Sequence, residues 1–194
     1  MVQAIKSDKM KSKKEFFKEI YDALNKVEVL DHDCGKLCGA ACCTAGGNYG
    51  DENMGIYLMP GEEELLRDQD WLTITESDAS EHDLPESWTG KVFFAKCKTP
   101  PICPRDMRPI QCRTFPLAPH IDEDDELLMI YNDLELPYEC PLIEEEIPLE
   151  DDFVEALTEA WRAMIEDPLI YDLVKMDSEA REESFDELME KLGL

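Results

Sequence analysis

Apolar positions fall into three regimes along the chain. Across residues 12–30, Phe16, Phe17, Ile20, Tyr21, Leu24 and Val27 recur at three- and four-residue intervals, the period of one helical face. Ser12 followed by Glu15 is a capping-box pattern that would open this helix. The stripe predicts a helix packed on a core, with the Lys-rich residues before it forming a solvated tail.

Residues 31–149 lose that period. They hold all eight Cys and most of the Pro, and only short extended stretches stand out: Ile56–Met59, Trp71–Thr75, Lys91–Lys96, Arg113–Leu117 and Leu127–Tyr131. Pro60-Gly61 marks a turn with a short helix after it at Glu62–Arg67. The acid run at 122–126 reads as a solvated turn between two strands, and Gly46-Gly47 as a turn. A loop-rich module held by something other than a large core is expected here.

Helical spacing returns at residues 150–194. Phe153, Val154, Leu157, Trp161 and Met164 share a face, Pro168 punctuates, and Leu169–Met176 makes a second short helix. A third begins near Ser178 and carries Phe185, Leu188, Met189 and Leu192. These stripes are assigned to packing. The expected fold is a single α+β domain, 1–194. In it, an N-terminal tail and helix (1–30) and C-terminal helices (150–194) brace a cysteine-cluster module (31–149).

Charge changes this picture. Nineteen Lys and Arg against 46 Asp and Glu give a net charge of −27, a surface that repels phosphate backbones and anionic lipid, so general nucleic-acid and membrane binding are disfavoured. No apolar run reaches the roughly 18 residues of a spanning helix, and no apolar stretch follows the Lys-rich start as in a signal peptide. A cytoplasmic, reducing setting is therefore expected. The positive charge gathers in an island: residues 91–113 carry Lys91, Lys96, Lys98, Arg105, Arg108 and Arg113 against Asp106 alone. Residues 114–161, by contrast, contain no Lys or Arg.

The island lies among the cysteines, which form two clusters. Cys34, Cys38, Cys42 and Cys43 lie in DCGKLCGAACC; Cys97, Cys103, Cys112 and Cys140 lie in CKTPPICPRDMRPIQC and, further on, YECPL. On a helix, positions 34, 38 and 42 span about 80° of one face, while Gly35 and Gly39 equally permit a loop. Adjacent Cys42 and Cys43 do not both serve one site within a helix; they serve two neighbouring sites, or one is spare. Pro104, Pro109 and Pro141 stiffen the second cluster and remove competing N–H donors. Eight Cys fall well short of the roughly 8–10% of a disulfide scaffold, and clustered thiols in a reducing compartment are more often metal ligands than staples.

Thiolate ligation of zinc, or of iron including an iron–sulfur cluster, is the expected chemistry. The eight thiols make two four-thiolate sites, or one cluster plus spare thiols. Cys34, Cys38, Cys42, Cys103, Cys112 and Cys140 stand first as ligands, with Cys43 and Cys97 behind them. Four thiolates around one divalent ion keep a charge of about −2, which the basic island is placed to offset. Arg108 and Arg113 would support the cofactor, or tie the 105–116 loop to nearby carboxylates or carbonyls. The plain alternative is that they pair with surface acids; another is that the island binds an anionic substrate. His32, His82 and His120 are too scattered for a triad; His32, two residues before Cys34, reads first as a solvated loop residue and second as a ligand or a donor supporting one. Glu144–Glu146 read as solvated acids before Pro148. Phosphate-cradling and serine-elbow motifs are absent.

The ordered pattern of a C-x-x-x-C-x-x-x-C-C cluster, two later Cys, then Arg108-Pro109-Ile110-Gln111-Cys112-Arg113-Thr114-Phe115-Pro116 and a last Cys resembles the YkgJ-type cysteine-cluster family across residues 34–141. That family is described as a zinc- or iron-chelating domain related to part of flagellin lysine N-methylase. The resemblance gives all eight Cys counterparts in order and implies metal binding. The opening differs: the usual form is C-x-x-C-x-x-C-C, and here each gap is one residue longer. The rival reading is an iron–sulfur or metal-dependent protein-modifying enzyme, such as a lysine N-methyltransferase.

Overall fold

The computed structural model describes residues 11–44, 55–132 and 136–192; Gly46-Gly47 and the start of the Lys-rich tail lie outside them. Helix α1 spans Lys13–Leu24, opened by the Ser12–Glu15 capping box. It ends six residues earlier than its stripe suggests. Asn25, its C-cap, uses its side chain elsewhere, donating to the Asp106 carbonyl at 3.2 Å and accepting from Arg113 at 2.7 Å. The chain then leaves in an extended path on which the Val29 carbonyl accepts from Glu150 N–H at 3.2 Å.

Single helical turns α2 (Gly35–Cys38) and α3 (Ala41–Thr44) follow. Gly39 and Ala40, with φ of 65° and 59°, break them apart, so the first cysteine cluster is not one continuous helix. Strand β1 (Ile56–Tyr57), short helix α4 (Glu63–Leu66), β2 (Leu72–Asp78) and β3 (Lys91–Cys97) come next. They form an antiparallel sheet of order β1-β3-β2, with Leu72 opposite Cys97.

The strand expected at 113–117 is not one. Pro109 caps a helical turn, α5 (Ile110–Thr114), in which Arg113 N–H bonds the Pro109 carbonyl and the Thr114 hydroxyl donates to the Ile110 carbonyl at 2.9 Å. The fixed φ of a proline suits a helix start, and Pro116 stops it. The hairpin of β4 (Leu117–Ile121) and β5 (Leu127–Tyr131) then turns through the acid run, where Asp122 Oδ1 accepts the amides of Asp124 and Glu126.

After the turn α6 (Pro141–Glu144), α7 covers Asp151–Met164 and α8 runs unbroken over Pro168–Leu192. The two short helices expected after Pro168 are therefore one. Ser178 is not a cap: its hydroxyl donates to the Val174 carbonyl at 2.7 Å inside α8 and accepts Ile121 N–H of β4 at 2.9 Å. That bond fastens α8 across the hairpin. The side chains of Phe185, Leu188 and Leu192 lie outside those described.

One core joins these elements. Phe17 and Ile20 of α1, Leu66, Ala95, Ile110, Ile121, Leu157 and Met164 are buried together. The Cys-rich middle thus shares a large core with the helices instead of standing apart from it. A smaller cluster of Leu30, Cys140 and Leu142, with Cys34 and Phe115 packed on it, forms separately. No helix among the described residues is long and apolar enough to cross a membrane.

Candidate metal centre

The fold brings both cysteine clusters to one region. All eight Cys are free thiols. A cavity of about 350 Å3 is lined by Cys42, Cys43, Cys97, Cys103 and Cys112, with Arg108 among them. Cys97 ends β3, Cys112 sits in α5, Cys43 in α3 and Cys103 in the loop between β3 and α5. Arg108 Nε donates to the Cys103 sulfur at 3.4 Å. Cys112 feels the charges of Cys43, Cys97 and Cys103, and Cys97 those of Cys103 and Cys43, so these four share one electrostatic environment.

The thiols differ sharply in acidity. Burial pushes the Cys112 thiol well up, with the Cys43 and Cys97 charges adding to it, and pushes Cys97 up to about 11. Cys43 moves the other way, to about 6, because Cys42 hydrogen-bonds it and Arg108 and Arg105 lie near, outweighing burial. Cys42, the donor of that bond, is correspondingly raised. Cys43 is thus drawn toward its thiolate, the form that attacks or binds metals. Cys42 and Cys112 are exposed, yet both line cavities, so their exposure faces a concavity rather than the convex surface.

The basic island is built into the support of this site. Arg113 sits over the Tyr21 ring, 4.3 Å from its centroid. Its guanidinium donates to the carbonyls of Arg105 (3.2 Å), Asp106 (2.6 Å) and Arg108, and to Asn25 Oδ1. It therefore clamps the 105–108 turn to α1 and does not touch a sulfur. Asp33, which accepts the Gly35 amide at 3.1 Å, pairs with Arg105 and links the two cysteine segments. Arg105 holds the Asp33 carboxyl below its ordinary range.

Glu62 went unread in the sequence as anything but the start of a short helix. Fully buried, its carboxylate accepts Tyr21 O–H at 2.5 Å, Ile110 N–H at 2.7 Å and Met59 N–H at 2.9 Å. It thereby fixes the start of α5, two residues before Cys112. Burial raises its pKa despite these donors. No local signal marks it, since its partners come from distant segments. Asp33 had one: Asp before Cys-Gly is an Asx-turn pattern.

The histidines stay out of the site. His32 pairs with exposed Asp31, His82 lies between Ser77 Oγ (2.6 Å) and Tyr57 O–H (3.2 Å), and His120 Nε2 faces Glu182 at 3.5 Å. The acids 144–146 lie at and after the end of α6 and are exposed.

The donor set fits a thiophilic ion, being all sulfur with cationic support. Among the described residues, no three His, Cys, Asp or Glu side chains stand ready-made as a coordination group, so a bound ion would draw the sulfurs closer. No family model matches the chain, and neither a curated protein nor a solved structure matches it.

Proposed function

We propose that this chain is a metal-binding protein that holds zinc, or iron including an iron–sulfur cluster, through cysteine thiolates. The observation that carries the reading is the shared wall of Cys43, Cys97, Cys103 and Cys112, with Arg108 hydrogen-bonded to one of its sulfurs. Four free thiols from four separate segments line that cavity, which supports the reading. The resemblance to a zinc- or iron-chelating family points the same way. These four residues would hold the ion as thiolates, and Arg108 would offset the negative charge they bring. The metal would tie α3, β3 and α5 together, so part of its role is structural.

Cys112→Ser tests this. Metal content should fall and the melting temperature with it. Full metal content and an unchanged melting temperature would remove Cys112 from the site.

A second reading is a metal-dependent protein-modifying enzyme, a lysine N-methyltransferase among them. The cavity beside the thiols favours it, being large enough for an organic ligand and lined by Trp71, Trp161 and Tyr138 as well as by sulfur. It requires an open coordination position, seen as an exchangeable ligand on the bound metal.

A further inference from the structure

We infer that the chain has two separate thiolate metal sites, the second formed by Cys34, Cys38, Cys42 and Cys140. This rests on the metal-binding reading above and adds a site and a count to it.

The division begins at Cys42 and Cys43. The two thiols of α3 adjoin and both line the large cavity, but they differ in what else they reach. Cys43 belongs with the wall of the large cavity. Cys42 also opens on a second, small cavity of about 20 Å3, whose other thiols are Cys34, Cys38 and Cys140. A space of that size admits one water-sized occupant, which needs roughly 10–15 Å3; an ion is small enough to enter where an organic ligand is not, and the four sulfurs would close on it, since they do not stand as a ready-made coordination group.

One further observation supports this grouping. The hydrophobic packing divides in the same way, with Cys97 on the main core and Cys34 and Cys140 in the small cluster with Leu30 and Leu142. Each ion would displace the S–H protons of its ligands into the solvent, leaving four sulfur–metal bonds and no change of oxidation state.

The test is anaerobic titration of the reduced, metal-free full chain with Co2+, read by the thiolate-to-cobalt charge-transfer and ligand-field bands. The expected endpoint is two Co2+ per chain with tetrahedral spectra. Cys140→Ser and Cys42→Ser should each lose the same ion, and Cys103→Ser and Cys43→Ser the other, leaving one in every case. Should Cys140→Ser fail to fold by circular dichroism, Cys38→Ser carries the same expectation. An endpoint of one overturns the second site and leaves the metal-binding reading standing. An endpoint of zero overturns both. Two ions lost together on Cys42→Ser or Cys38→Ser, in a folded chain, would show a single joint centre and overturn the division.

Discussion

Arg108 Nε lies 3.4 Å from the Cys103 sulfur, a hydrogen bond from a cation to a thiol on the wall of the largest cavity described. The pairing raises the Arg108 pKa against the opposing effect of its burial, through Cys103 and then Cys43 and Cys112. An arginine so placed supports thiolates without being a ligand. Arg108→Ala should weaken metal retention by about 10–100-fold, the usual cost of losing a group that supports a ligand. Competition with a chromophoric chelator measures it, and unchanged affinity would assign Arg108 to packing alone.

Arg113 is expected to act on stability instead. Four hydrogen bonds and the Tyr21 ring hold it. Removing it leaves the Arg108 carbonyl without its donor and takes one of two donors from the carbonyls of Arg105 and Asp106. Arg113→Ala should cost about 3 kcal/mol, and Lys should recover little because it lacks the planar fork. Thermal or denaturant unfolding checks both variants.

Glu62 predicts a pH dependence with a definite sign. Its folded pKa is raised, chiefly by burial. Its contribution is therefore fullest below the unfolded carboxyl pKa of about 4.3 and declines as pH rises through the folded value. Glu62→Gln, the isostere of the protonated form, should remove that decline. The difference in unfolding free energy, wild type minus variant, should fall as pH rises above the unfolded carboxyl pKa of about 4.3. A difference that stays flat or rises would mean the carboxylate is held ionised by its three donors.

Ser178 offers a test of the α8–hairpin contact. Its buried hydroxyl is the partner of Ile121 N–H. Ser178→Ala leaves that amide unsatisfied and should cost about 1–3 kcal/mol, with faster hydrogen exchange at Ile121 as its local signature.

Local rules made α1's start, the β5 strand and the α7 stripe legible in the sequence, because a capping box and a regular apolar period act within a few residues. Where tertiary partners decide, those rules stop short. Asn25 ends α1 by reaching Asp106 and Arg113, and Ser178 stays within α8 by bonding β4. At 113–117 the helix-starting effect of Pro109 prevailed over an extended reading. The two cysteine clusters were legible in the sequence as candidate ligands. Which thiols face which cavity was not, since Cys43 and Cys97 meet only through the fold. Glu62 and Tyr21, 41 residues apart, likewise declare themselves only once folded.

The most direct test of thiolate metal binding is elemental analysis with acid-labile sulfide and a visible spectrum, on protein purified without oxygen. Stoichiometric zinc without sulfide, or iron with sulfide and a brown chromophore, is the predicted result. Metal-free protein that melts as high as metal-supplemented protein, with all eight thiols freely reactive toward a thiol reagent in both, would contradict it.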